Sequence, residues 1–232
     1  MVKAVLFDAY GTLFDVYSIG ALADIIFPGR GHELAACWRE KQMEYTRLRT
    51  LCDRYADFWQ VTSDALEFCC EDLALPLTDT HRARLMAEYE ALRAFPESAP
   101  ALERMKSSGL PLGVLSNGTQ SMLETALASS GLRKYLDHVL SVDQVRKFKT
   151  APEAYELGPK AVGLPVEEIL FVSSNGWDVS GATWFGYKSF WLNRAHRPVE
   201  RLGVKPDAVG EKMDDVARYA IAMGASPAAL TT

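Results

Sequence analysis

Ala4-Val5-Leu6-Phe7-Asp8-Ala9-Tyr10-Gly11-Thr12-Leu13 is the stretch from which the fold is read. Four consecutive apolar residues read as a short strand buried on both faces, as a parallel sheet requires. The acid at Asp8 falls where the backbone leaves the sheet, and Gly11-Thr12 supplies a turn. A carboxylate at that position is either a turn residue or the first member of a site.

Working outward, further apolar runs predict strands at 112–115, 138–140, 169–172 and 189–192. Helical patterns predict helices at 100–108, 121–130, 152–162, 179–185 and 213–223. Pro152 suits the first turn of its helix, where the missing N–H costs nothing. This alternation predicts an α/β, Rossmann-like parallel-sheet core with helices on both faces. It is interrupted after the first strand. Residues 33–51, 58–73 and 80–92 carry amphipathic patterns, the first with Leu34, Trp38, Tyr45 and Leu48 along one stripe. The expected organisation is a core of residues 1–14 and 95–221, an α-helical cap or lid domain of residues 15–94, and a frayed tail at 222–232.

Composition narrows the class. Among 232 residues, 48% are apolar and 24% charged, as in ordinary globular enzymes. A formal charge of −5 argues against nucleic acid or an anionic membrane surface as partner. No apolar run approaches the ~20 residues of a membrane span, and the amino terminus lacks a signal-peptide pattern. Cys37, Cys52, Cys69 and Cys70 show no metal-ligand spacing and read as reduced thiols of a cytoplasmic protein.

Ligands of such sheets bind at the carboxyl ends of the strands. Four polar segments fall there: Asp8-Ala9-Tyr10-Gly11-Thr12, Ser116-Asn117-Gly118, Lys147-Phe148-Lys149-Thr150-Ala151-Pro152 and Ser173-Ser174-Asn175-Gly176-Trp177-Asp178. Each alone has a bland explanation. Asp8 suits a turn, Ser116 and Asp178 suit helix caps, and Lys149 suits a solvated surface. Their coincidence at one rim points to a site.

In order and spacing these segments resemble the haloacid dehalogenase superfamily, with Asp8, Ser116, Lys149 and Asp178 in the places of its nucleophile, Ser/Thr, Lys and late acid. Phe7 to Leu13, Leu115 to Gly118, Lys149 to Pro152 and Phe171 to Asp178 are similar to the L-2-haloacid dehalogenases within it. Nearly the whole chain is covered, including Trp38-Arg39 of the insertion. Two departures separate it from the superfamily's Mg²⁺-dependent phosphatases, the alternative reading. The second acid of those enzymes is replaced by Tyr10, a poor proton donor at neutral pH. The late cluster offers Ser173, Ser174 and Asn175, with Asp178 as its one acid, a weak donor set for Mg²⁺. Neither metal nor cofactor is therefore expected. A binding module that kept the fold and lost the chemistry is a further alternative.

Without a metal, an anionic substrate must dock beside Asp8. At ~5 Å and an effective dielectric of ~20 the repulsion is roughly 3 kcal/mol, over a hundredfold in binding. Lys149 and Arg39 are the cations placed to offset it; taken alone, Arg39 would read as a solvated helix arginine. The resemblance implies that Asp8 displaces halide from the α-carbon of a short L-2-haloacid, forming an ester that water hydrolyses to a D-2-hydroxyacid. It implies Thr12 as a brace for Asp8, Arg39, Asn117 and Phe58 as the halide cradle, and Ser116 with rim N–H groups as the carboxylate site. Asp178, Lys149, Asn175 and Ser173 are implied for water activation, and Tyr10, Met43, Phe58 and Trp177 for the alkyl pocket. Tyr155 is either a partner of that network or a core residue. Glu40 stands where the resembled enzymes carry a neutral amide; its charge either weakens Arg39 or faces solvent. A homodimer is expected, with Trp38, Tyr45, Tyr55 and Trp59 offering surface or else ordinary packing.

Overall fold

The computed structural model describes residues 1–224. Strands β1 (Ala4–Phe7), β2 (Leu112–Ser116), β3 (His138–Ser141), β4 (Ile169–Ser173), β5 (Lys188–Leu192) and β6 (Ala208–Gly210) form one sheet in the order β3-β2-β1-β4-β5-β6. Every neighbouring pair is parallel. β1 lies between β2 and β4, with Phe7 in register with Val114 and Val172. The chain runs outward in opposite directions from this point, so a crevice opens beyond the carboxyl end of β1.

The five expected strands are present, three of them one residue longer at the carboxyl end and β5 one longer at the start. β6 was not expected: Ala208-Val209-Gly210 is three residues at the sheet edge, too short for a periodic pattern. Core helices are α5 (Ser98–Ser107), α6 (Gln120–Ser129), α7 (Pro152–Val162), α8 (Gly176–Phe185) and α9 (Met213–Gly224). α8 starts three residues before its expected position, because Gly176 and Trp177 are already helical. α9 extends through residues 222–224, where a frayed tail was expected; residues 225–232 lie outside the described residues.

Between β1 and α5 the described residues are helical or irregular: α1 (Ile19–Ile26), α2 (Gly31–Leu51), α3 (Phe58–Asp72) and α4 (Asp79–Glu90). α1 was not foreseen: its eight residues make barely two helical turns, short for a periodic reading. Its approach to α2 depends on Gly31, where a Cβ would lie 2.3 Å from the Gly20 carbonyl oxygen. Trp38 is buried and donates from its indole to the Thr62 carbonyl at 2.7 Å, tying α2 to α3. It therefore belongs to the core and offers no surface. Leu48, expected on the same stripe, is 48% exposed. The final turn of α2 is half-buried or exposed throughout, so periodicity there meets no packing partner. Thr78 caps α4 through the His81 N–H, and Asp57 caps α3 through the Gln60 N–H.

None of the helices among the described residues is long and apolar enough to cross a membrane. All four cysteines are unpaired; Cys69 and Cys70 are buried, Cys37 is half-buried, and Cys52 is exposed.

Candidate active site

The nucleophile candidate is built by the end of β1. The Asp8 N–H still donates to the Val172 carbonyl at 2.9 Å, completing the ladder, and the side chain then stands free at the rim. Gly11 takes φ +91°, a conformation other residues adopt with strain, and a Cβ there would approach Ser174 Oγ at 3.2 Å. The chain can thus double back so that Thr12 faces Asp8.

Asp8 is 5% exposed and its carboxylate is surrounded by donors. Oδ1 accepts from Lys149 Nζ at 3.1 Å. Oδ2 accepts from Asn175 Nδ2 at 2.9 Å, Thr12 Oγ1 at 3.1 Å and Ser173 Oγ at 3.4 Å. Thr12 is oriented in turn, because its oxygen accepts from the Ser174 N–H at 2.9 Å. A buried carboxylate is tolerated only when paired and hydrogen-bonded, and both conditions hold here.

Lys149, fully buried at its side chain, bridges to a second carboxylate: Nζ lies 3.0 Å from Asp178 Oδ2. Its backbone N–H donates to Asn117 Oδ1 at 2.9 Å, which turns the Asn117 amide NH₂ away and leaves it for other acceptors. Tyr155 donates to Asp178 Oδ1 at 2.7 Å, so it belongs to the polar network as well as being buried. Burial pushes the Asp178 carboxyl up to about 6; Lys149 opposes this and the Asp8 charge adds to it. Ser116 is buried and accepts from the Gly118 N–H at 3.2 Å, which leaves its hydroxyl hydrogen unspent.

Arg39 reaches down from α2. Its Nη2 donates to the Tyr10 carbonyl at 3.4 Å and its Nη1 to Gln42 Oε1 at 2.8 Å. It is half-buried at the rim, while Glu40 is exposed, so the negative charge faces solvent. Phe58 is buried with its ring centroid 5.4 Å from that of Tyr10. Met43 is buried one turn beyond Arg39 on α2. Trp177, partly buried, lines a cavity of about 510 Å³ with Gly11, Arg39 and Asn175.

The residues expected from sequence therefore converge, with Met43 the one for which nothing beyond burial ties it to the rim. Three contributors went unforeseen. Gln42 is buried and accepts from both Arg39 and Tyr89, whose hydroxyl lies 3.0 Å away. Helical spacing from Arg39 to Gln42 was the available signal. Arg194 donates to the Gly11 and Thr12 carbonyls at 3.1 and 3.0 Å and pairs with Glu97 at 2.9 Å. It lies beyond β5 in a segment without motif, and no local signal marks it. Ser174 acts through its backbone, which side-chain reading cannot detect.

Proteins of similar sequence and fold are known dehalogenases. Residues 2–186 match the family model of haloacid dehalogenase-like hydrolases. An (S)-2-haloacid dehalogenase of Pseudomonas sp. (strain YL) is 46% identical over 206 residues, 89% of each chain. A crystallised L-2-haloacid dehalogenase superposes with a TM-score of 0.93 at 52% identity, covering 94% of this chain and 98% of its own. The L-2-haloacid dehalogenase of Xanthobacter autotrophicus, solved with chloropropionic acid covalently bound, gives a TM-score of 0.89 at 36% identity, covering 97% of this chain and all of its own. With the family model spanning more than half the sequence, the chain belongs to the haloacid dehalogenase-like hydrolases.

Proposed function

We propose that this protein hydrolyses short L-2-haloalkanoic acids to D-2-hydroxyacids and halide through an ester on Asp8. The observation that carries the reading is the Lys149 ammonium set between two buried carboxylates, 3.1 Å from Asp8 and 3.0 Å from Asp178. It supplies positive charge where an anionic substrate must approach an anionic nucleophile.

A lone pair of the Asp8 carboxylate attacks the α-carbon opposite the halogen. The carbon–halogen bond breaks, halide leaves with its electron pair, and the configuration inverts. Charge grows on the halogen only as that bond breaks, so donors aimed at it favour the transition state over bound substrate. Arg39 and the free NH₂ of Asn117 fill that role, with Phe58 as an apolar wall. Ser116 offers its spare hydroxyl hydrogen, with rim N–H groups, to the substrate carboxylate. Water then attacks the ester carbonyl; Asp178 takes its proton, and Asn175 and Ser173 steady the carbonyl oxygen until the acyl carbon–oxygen bond breaks, the proton passes to the departing hydroxyacid oxygen, and the Asp8 carboxylate is restored. Tyr10, Met43 and Trp177 bound the space for the alkyl group. Helices α1–α4, residues 15–94, act as the cap over a core of residues 1–14 and 95–221. Unpaired thiols support a reducing, cytoplasmic setting, and exposed Leu51, Trp59 and Phe68 on α2 and α3 support a homodimer.

Halide release measured with L- and D-2-chloropropionate, with and without a chelator, tests the reading. Chloride from the L-enantiomer alone, undiminished by chelator, is the expected result. Chelator-sensitive cleavage of a phosphate ester with no chloride released would replace it with a phosphatase.

A further inference from the structure

Tyr10 is 3% exposed, and its hydroxyl has no hydrogen-bond partner. Nearly all buried polar atoms in folded proteins are partnered, and an unpartnered one calls for an explanation. The ring is held on three sides. It lies 5.4 Å from Phe58 and 5.7 Å from Tyr89 between centroids, and it rests on Gly118 so closely that a Cβ there would lie 2.8 Å from the ring and 3.0 Å from the hydroxyl. The hydroxyl therefore sits between Phe58 and the backbone next to Asn117, while the Tyr10 carbonyl receives Arg39. Phe58 and Asn117 are among the groups assigned above to the departing halide, and Arg39 is held at the backbone of Tyr10 itself.

We infer that the Tyr10 hydroxyl is a third hydrogen-bond donor to the leaving halide, a binding role added to that of an apolar wall. This inference rests on the dehalogenase reading for its catalytic consequence. The donor keeps its proton throughout: burial holds the hydroxyl well above the usual phenol range. The surroundings favour a halide over a carboxylate or a water. The aromatic faces and the glycine against the hydroxyl offer it no acceptor, whereas a large, weakly hydrated anion accepts from the few donors that face it among apolar walls. The carboxylate has its own donors at Ser116. The residue that replaces the phosphatases' acid thus serves the leaving group without proton transfer.

Tyr10→Phe removes one oxygen and leaves the packing intact, and two readouts are needed. In the first, kcat/KM for ester formation should fall about 10- to 100-fold with L-2-chloropropionate. The loss should be smaller with L-2-bromopropionate, whose leaving group needs less help, and Tm should stay level or rise because an unpartnered polar atom is gone. In the second, the Tm of the wild-type protein relative to that of the variant should rise on adding sodium bromide and stay level on adding sodium sulfate at equal ionic strength, whose general effect on the two proteins is the same. Equal bromide shifts in the two proteins overturn the inference whatever the activity. So does an equal loss with both substrates accompanied by a lowered Tm, which would mark a packing role. A wild-type protein that releases no halide, yet loses its bromide shift in the variant, sinks the dehalogenase reading and leaves the halide site standing.

Discussion

At the scale of single residues, the site is a problem of charge held without solvent. Asp8 and Asp178 share one ammonium group, so removing Lys149 leaves two buried carboxylates without a cation, which is costlier than losing the whole set. Asp8→Asn is expected to abolish turnover by on the order of 10⁴-fold or more, since the nucleophile itself is lost. Multiple turnovers in heavy-oxygen water should place label in the wild-type Asp8 carboxylate, read by peptide mass; label confined to the product would mean direct attack by water on the α-carbon. Asp178 gives a pH prediction. Its carboxyl, pushed up to about 6 by burial, must be ionised to accept a proton from water. The rate of ester hydrolysis should therefore fall at acid pH, with the limb below the free-enzyme value because esterified Asp8 no longer carries the charge that raises it. Tyr155 donates to the ionised form and so lowers that value. Tyr155→Phe should move the acid limb of the single-turnover hydrolysis profile to higher pH; an unmoved limb would remove Asp178 as the base.

At the scale of elements, each functional side chain is aimed by the end of a strand or the face of a helix. α6 begins where Thr119 accepts from the Met122 N–H at 3.1 Å, immediately after the Ser116-Asn117-Gly118 turn. Thr119→Ala should cost about 1 kcal/mol of stability, measured by denaturant titration, with little effect on kcat because the turn itself remains. Within α2, Gln42 anchors Arg39 one turn away and is held by Thr62 of α3 at 2.7 Å. Gln42→Met keeps the volume and removes the acceptor. It should lower kcat/KM for chloride release by about tenfold, as expected for the loss of one charge-assisted hydrogen bond. An unchanged kcat/KM in a folded variant would mean that Arg39 positions itself.

For the whole molecule, the two ends of the helical insertion are joined by backbone bonds, Asp15 N–H to the Arg93 carbonyl and Phe95 N–H to the Leu13 carbonyl, each at 2.9 Å, and are braced further by one side chain. Arg194, from beyond β5, grips the Gly11 and Thr12 carbonyls on the outgoing segment and pairs with Glu97 on the returning one. Its guanidinium also lies 3.9 Å from the centroid of the Phe95 ring. Arg194→Met should loosen both segments at once, lowering Tm by several degrees, on the scale of 1–3 kcal/mol for an unsatisfied buried cluster. It should also raise hydrogen exchange across residues 11–15 and 93–97; exchange confined to the mutated loop would argue that the ends are held by other contacts.

The amino-acid sequence by itself settled the strand order of polar segments, the helical interruption after β1 and the identity of the charged groups. These rest on local periodicity and on motifs whose chemistry is carried by neighbouring residues. Asp8, Ser116, Lys149 and Asp178 could be read from their places after apolar runs. Tertiary structure alone decided that Lys149 spans two carboxylates, that Glu40 faces water while Arg39 turns inward, that Gln42 and Arg194 hold the site, and that the Tyr10 hydroxyl lacks a partner. Those facts depend on distances between segments up to 183 residues apart, as between Gly11 and Arg194. The pattern along a chain records which face of an element is buried; which atoms then meet is set by packing across elements.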